Sequence, residues 1–480
     1  MLFNSIEFFF FLPVCLFGYH ILNRGDVKFR NLFLILVGYI FYGWWSWKFL
    51  ILLFISTLVD YLVGIAIGSS DSVSRKRFLL SISLTAQLGM LLYYKYANFF
   101  IESFSRAFTF LGYHIDASRL DIVLPVGISF YTFQTLSYTI DVYRGKIQPV
   151  RSFVNFCSFV SFFPQLVAGP IERASQMLPQ FEMRRTISGQ DWSEGCKQML
   201  WGFFKKLAIA DNCAVLVNEL YGNHAQHSGA TLFFAAVLFS FQIYCDFSGY
   251  SDIAIGSARL FGFNLMQNFA YPYFSKDIAE FWRRWHISLS TWFRDYLYFP
   301  LGGSRGDLFQ KVRNTFIVFM VSGFWHGANL TFLIWGFLHS LFYLPLLLTG
   351  TNKVVVSAQA RPGWLSGLKD ASSVLGTFLL VCLAWVFFRA PSVQVAFSIL
   401  SKILSKSLFQ FPVQFSPKIC VLILVLIGFE WLGRAKKFPL EDVVLSSRKP
   451  VRWMIYLALI LSVYFLGNND ASIEFIYFQF

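Results

Sequence analysis

Two tryptophan-flanked histidines stand out as groups able to do chemistry. They are Trp285-His286, within Phe281-Trp282-Arg283-Arg284-Trp285-His286-Ile287-Ser288-Leu289-Ser290, and Trp325-His326-Gly327, in an otherwise apolar run. Imidazole ordinarily titrates near physiological pH, so it can take up a proton and give it back. An ionisable group at membrane depth is costly to place and marks a functional site by default. Proton chemistry within a membrane is therefore the first expectation. Against it stands a plainer reading of His326, as a buried ring hydrogen-bonded between helices.

The membrane follows from composition. Of 480 residues, 56% are hydrophobic, 20% aromatic and only 14% charged, against roughly 25% charged in soluble domains. Apolar runs near the ~20 residues that a spanning helix requires fall at 5–22, 31–47, 49–68, 79–94, 122–140, 153–169, 198–221, 230–260, 311–331, 332–350, 374–389, 418–434 and 452–467. The run at 230–260 is expected to be broken. The reading is an all-α polytopic membrane protein forming one integral domain over residues 1–480, with no internal repeat or long polar linker. Met1 to Ile21 carries Glu7 and no Lys or Arg, so it is expected to stay as the first span and not to act as a cleaved signal.

The net charge of +14 would point to nucleic acid in a soluble chain. Here the cations gather in short loops, at Arg24/Lys28/Arg30, Arg75/Lys76/Arg77, Arg144/Lys146/Arg151 and Arg434/Lys436/Lys437 with Arg448/Lys449/Arg452. Topology bias and anionic membrane lipids account for that pattern, and no nucleic-acid partner is expected. Placing these clusters on the cytoplasmic side puts both termini outside. Seven cysteines at 15, 157, 196, 213, 245, 382 and 420 form no CxxC pair, so neither a disulfide framework nor a metal site is expected.

Two elements must position the histidines. Asp277-Ile278-Ala279-Glu280 reads as a helix start with acidic residues in its first turn, and continuing that helix puts Trp282, Trp285 and His286 on one face. Such a helix would lie at the cytoplasmic interface, its Trp rings at headgroup level and Arg283, Arg284 and Arg294 available for phosphates. An amphipathic interfacial helix without a ligand explains the arginines equally well. In Ser322-Gly323-Phe324-Trp325-His326-Gly327-Ala328-Asn329, the pair Gly323 and Gly327 permits close approach of another helix, and Asn329 is expected to share a helical face with His326. Asp246 and Asp252, in an apolar context, are expected to join helices by hydrogen bonds.

Several stretches resemble the membrane-bound O-acyltransferases of the bacterial alginate O-acetyltransferase type. They are Pro125-Val-Gly-Ile-Ser-Phe-Tyr131, Tyr138-Thr-Ile-Asp-Val-Tyr-Arg-Gly145, Phe163-Pro-Gln-Leu-Val-Ala-Gly-Pro-Ile171, Asp246-Phe-Ser-Gly-Tyr-Ser-Asp-Ile-Ala-Ile-Gly256, the Phe281 to Gly303 block, Trp325-His-Gly327 and the ending Phe475-Ile-Tyr-Phe-Gln-Phe480. They run in order through nearly the whole chain. The resemblance implies about eleven transmembrane helices, with re-entrant and interfacial helices, around a central tunnel. An acyl donor would enter from the cytoplasm and an acceptor from outside. It also implies a catalytic role for His326 and a second important role for His286. A third histidine of the family pattern has its match in Trp335-Gly-Phe-Leu-His339, where Ser340 departs from the usual glycine.

Acetyl transfer from a thioester to a hydroxyl needs a base for the hydroxyl proton and a donor for the oxyanion, and it needs no metal. His326 is assigned as the base, Asn329 as a polariser, and His286 as a second proton-handling group. Arg283, Arg284 and Arg294, with Trp285, are assigned to the side that binds the donor, acetyl-CoA. The expected activity is O-acetylation of an exported, alginate-like exopolysaccharide, at the bacterial inner membrane, with periplasmic or membrane-anchored acetyltransferase partners. A teichoic-acid-type D-alanyl transferase ranks second. A proton-coupled transporter ranks third, lacking the paired broken helices such carriers show. No P-loop, HExxH or GxSxG motif is present.

Overall fold

A backbone surrounded by lipid has to satisfy its own N–H and C=O groups, and an α-helix does so within one segment. In the computed structural model, residues 1–113, 118–167, 169–353, 368–442, 448–468 and 475–478 are described, and every regular element among them is helical. The chain divides into two units, Met1–Trp192 with Ser257–Met266, and Ser193–Gly256 with Gln267–Phe480. Ala168, Gln479 and Phe480 of the family-like stretches lie outside the described residues.

The first unit holds α1 (Ile6–Leu22), α2 (Val27–Gly43), α3 (Phe49–Gly68), α4 (Val73–Leu91), α5 (Ala97–Phe110), α6 (Ile128–Tyr143), α7 (Phe153–Ser161), α8 (Phe163–Leu166) and α9 (Ala174–Glu182). Several of its buried polar groups are paired across helices. Asp60 on α3 accepts from Ser83 and Gln87 of α4 at 2.5 and 2.9 Å. Two expectations are corrected here. The run at 153–169 is not one span: Phe162 is extended (ψ 105°) ahead of Pro164, which no helix interior accommodates well, and the segment splits into α7 and α8. Arg30 is not a headgroup cation either. It is fully buried and donates to the carbonyls of Phe181 and Met183 at 2.8 and 2.7 Å, satisfying the end of α9.

The second unit takes up α10 (Gly189–Phe203), α11 (Asp211–Gly222), α12 (Gly229–Leu260), α13 (Ile278–Arg284), α14 (Ile287–Phe293), α15 (Leu308–His326), α16 (Leu330–Thr349), α17 (Leu368–Arg389), α18 (Val393–Ile403), α19 (Pro417–Gly433), α20 (Pro439–Asp442) and α21 (Lys449–Leu461), except that the ends of α10 and α12 at 189–192 and 257–260 belong to the first. The expected runs at 5–22, 49–68, 332–350 and 418–434 agree with α1, α3, α16 and α19 to within two residues. Among the described residues five helices are long and apolar enough to cross a membrane, Phe49–Gly68, Gly229–Leu260, Leu330–Thr349, Lys369–Arg389 and Lys449–Leu466. The chain is an all-helical, multi-pass membrane protein.

α12 is a further correction, since it runs unbroken for 32 residues, about 48 Å at the helical rise. What permits this is a close partner. A side chain at Gly249 or Gly256 would meet the backbone oxygens of Gly202 and Gly195 at 2.8 and 2.6 Å. The polar residues that suggested a break are instead paired. A π-helical stretch at Phe204–Ala210 presents Lys205 and Lys206 side by side, and both are buried. Lys205 meets Asp252 at 2.6 Å, and Lys206 meets Asp246 and Asp211 at 2.7 Å each. Asp246 and Asp252 thus join helices, as expected, although the lysines were not foreseen.

Candidate active site

His286 is positioned by a break in a helix. Asp277 caps α13, accepting from the Glu280 amide at 2.7 Å, while the Glu280 carboxylate accepts from the amide of Lys276, the residue before the cap, at 2.8 Å, a relative of the capping box. The helix then stops. Trp285 is extended (ψ 128°) and His286 adopts left-handed φ 42°, ψ 56°, from which α14 starts anew. The break is held by the preceding segment: Ala270 N–H donates to Arg284 O, Ile287 N–H to Asn268 O (each 2.9 Å), and Ser288 Oγ to Asn268 Oδ1 at 2.8 Å. The expected single face carrying Trp282, Trp285 and His286 therefore does not exist. Trp285 turns into the core, fully buried against Phe269 and Trp385 at ring distances of 5.0 and 5.1 Å, and not to headgroup level.

His326 closes α15 and is buried. Gly323, one turn earlier, abuts Gly336 of α16, whose Cα lies 3.5 Å from the position a Cβ on Gly323 would take; the Phe332 oxygen lies at only 2.3 Å. This is the close helix approach expected of the small-residue pair. Gly327 serves differently, facing the Phe332 ring at 2.1 Å from its absent Cβ. Asn329 shares no helical face with His326, because the helix has already ended. Its Oδ1 caps α16 by accepting from Thr331 N–H at 3.1 Å, and its Nδ2 donates to Pro391 O at 3.0 Å.

The two histidines face one another, their ring centroids 6.5 Å apart. Tyr477 packs beside both, at 5.6 Å from His326 and 6.1 Å from His286. Trp325, Trp335 and Phe388 surround His326 at 5.0, 5.1 and 5.3 Å. Burial disfavours the charged form of the His286 imidazole and pushes its pKa below the ordinary value. Tyr477 is brought here by its neighbour: the Ile476 N–H donates to Asp246 Oδ2 at 2.7 Å, on the carboxylate that Lys206 neutralises. The sequence offered two cues to this arrangement, an aromatic ending and an adjacent lysine pair in an apolar stretch.

Beside the histidines lies a cavity of about 510 Å³. Thr315, Val318, Phe319 and Ser322 form one wall, along one face of α15 that continues a turn further to His326. Arg283 and Arg294 line the cavity, with Tyr298, Tyr343 and Asn352. The expected donor-side set is thereby divided. Arg283 donates to Asn352 O at 3.1 Å and Arg294 pairs with Asp295 at 2.9 Å, both at the cavity. Arg284 is bound to Glu280 at 2.6 Å and Ala270 O at 3.3 Å, and neither it nor Trp285 lines the cavity. Among the described residues no group of three metal-ligating side chains occurs.

Comparison with known proteins adds the chemistry. The profile of the membrane-bound O-acyltransferase family matches residues 149–351, which include both histidines and every residue lining the cavity except Asn352. The chain is 42% identical over 399 residues to the probable alginate O-acetylase AlgI of Pseudomonas aeruginosa, spanning 82% of this chain and 73% of that protein. It is 36% identical over 431 residues to the peptidoglycan O-acetyltransferase of Helicobacter pylori, spanning 83% and 79%. A teichoic acid D-alanyltransferase of Bacillus subtilis matches at 28% over 234 residues, 46% of this chain and 58% of that protein. With a buried histidine pair beside a cationic cavity, and similarity of this extent, the chain belongs to the membrane-bound O-acyltransferase family and is an O-acyltransferase.

Proposed function

We propose that this O-acyltransferase takes acetyl groups from acetyl-CoA on the cytoplasmic side of the bacterial inner membrane and passes them outward for O-acetylation of an exported polysaccharide. The observation that carries the reading is the continuity of the α15 wall, from Thr315 through Ser322, with His326 one turn beyond. A donor lying in the cavity with its phosphates at Arg283 and Arg294 directs its thioester along that wall. The reading treats residues 1–480 as one integral domain with about eleven spans around a tunnel.

In the reaction, an imidazole nitrogen of His326 accepts the proton of the acceptor hydroxyl as its oxygen attacks the thioester carbonyl. The tetrahedral intermediate collapses with cleavage of the C–S bond, and the departing thiolate takes the proton back from the imidazolium. His286, packed 6.5 Å from His326, orients or relays that proton. Asn329 fixes the turn after His326 through its cap, and Arg284 and Trp285 hold the His286 break in shape. The relatives named for alginate and peptidoglycan acetylation favour a glycan acceptor, reached through periplasmic or membrane-anchored acetyltransferase partners. D-alanyl transfer ranks second because the relative named for it matches less of the chain.

Purified protein incubated with labelled acetyl-CoA, and separately with an alanyl-loaded carrier protein, separates the two. Loss of label from acetyl-CoA alone is expected. Consumption of the alanyl donor alone would replace this reading with the second.

A further inference from the structure

Aromatic rings flank the end of the cavity that lies towards His326. Trp282 and Phe319 line the cavity, with rings 5.2 Å apart. Trp282 lies 5.7 Å from Trp335, which in turn lies 5.1 Å from His326. Trp282 is also fastened: its Nε1–H donates to Nδ1 of His339 at 3.3 Å. An indole N–H only donates, so Nδ1 is the acceptor and the neutral His339 ring carries its proton on Nε2. The His339 ring is itself boxed in, 4.8 Å from Trp335, and stacked at 6.2 Å with Phe281 and with Phe319. It is buried, lies on α16 one turn after Trp335, and does not line the cavity.

We propose that Trp282, held in place by His339, forms the inner end wall of the donor cavity and restricts the acyl group to a short chain. The proposal rests on the reading of that cavity as the donor site. With the thioester passing Ser322 towards His326, the acyl chain lies against the rings of Trp282 and Phe319, and each further methylene is crowded there. The wall has little slack to take it up, because Trp282 is backed by Trp335 and Phe319 and held by His339. The hydrogen bond supplies what packing alone does not, a fixed orientation of the indole, so His339 is a positioning residue and not a proton carrier. This also gives a use to a buried histidine that the transfer step does not require.

The test compares acetyl-CoA with butyryl-CoA as donors for the full-length protein in detergent or liposomes, read as the ratio of their kcat/KM values. Wild type is expected to favour acetyl strongly. Trp282→Ala should raise the butyryl-to-acetyl ratio by about 10-fold or more, the scale on which pockets discriminate single methylenes. Trp282→Phe, which keeps the packing, should raise it less. His339→Leu should raise the ratio, and His339→Gln, which keeps an acceptor, should hold it near wild type. A merely structural role would lower both donors together and leave the ratio unmoved, which would overturn the proposal, as would a wild type that uses butyryl-CoA as well as acetyl-CoA. If wild type transfers the acyl group of neither donor, the donor assignment fails first. An active wild type with an unmoved ratio refutes the wall alone.

Discussion

The imidazoles of His286 and His326 lie 6.5 Å apart, although one begins a short helix after a left-handed turn and the other ends a helix of 19 residues. Their sequence contexts differ, one charged and aromatic, the other apolar and notched by glycine. That contrast suggests two separate sites, one for the donor and one for the proton. The packing instead makes a single cluster, with Tyr477 against both rings.

Removing the base should remove the reaction. His326→Ala is expected to lower acetyl transfer by at least about 100-fold, the lower range of general-base contributions, with membrane abundance unchanged. Labelled acetyl transfer, alongside immunodetection of the membrane fraction, checks this. Wild-type transfer by the variant would remove His326 from the mechanism.

The arginines should divide as their surroundings do. Arg283→Ala and Arg294→Ala each lose a cation at the cavity and should raise the KM for acetyl-CoA about 10-fold, near the lower range for hydrogen bonds to charged groups. Arg284→Ala should leave KM within about twofold and reduce thermal stability instead, because its partner Glu280 is buried and left unneutralised. Steady-state kinetics and melting of the same three preparations decide it, and a KM effect at Arg284 would reverse the assignment.

The buried charges near the C-terminal end should be unequal. Lys206→Met strands two buried carboxylates, Asp246 and Asp211, and breaking such a pair costs about 3–5 kcal/mol. Little folded protein is expected. Asp246→Asn leaves Lys206 its contact with Asp211 and keeps an oxygen for the Ile476 N–H, so it should fold and retain much of its activity. Fluorescence size-exclusion profiles of the two variants report the difference, and equal profiles would contradict it.

Gly323 leaves no room for a side chain, since a Cβ would fall 2.3 Å from the Phe332 oxygen. Gly323→Ala should destabilise by about 1–3 kcal/mol through overpacking, while Gly376→Ala, which would meet nothing within 4 Å, should be neutral. Thermal melting in a common detergent compares them, and equal Tm values would refute the contact.

Helix placement was legible where apolar length alone decides it, as at α3 and α16. It was hidden where a single residue acts through a distant partner. Phe162 breaks 153–169 because of Pro164, and α12 stays whole because lysines from another helix neutralise its aspartates. At the site, the histidine types and the Asp277 cap could be read directly. The turn at His286 could not, because the Ile287 N–H donating to Asn268 O and the Ala270 N–H donating to Arg284 O enforce it, and nothing in the local spacing encodes them. Tyr477 was visible as part of an aromatic ending, but its place beside the histidines depends on the bond from the adjacent Ile476 N–H to Asp246, 230 positions from Ile476.

The handedness of His286 bears on how any replacement there is interpreted. At φ 42° the residue occupies a region that asparagine and histidine tolerate better than most side chains, and which costs others roughly 1–2 kcal/mol. Alanine or glutamine at this position changes two things at once, deleting the imidazole and penalising the backbone that aims α14. Asparagine or glycine deletes the ring while leaving the turn affordable. An inactive His286→Ala therefore says little about proton transfer by itself, and the comparison that isolates the ring is His286→Asn with wild type.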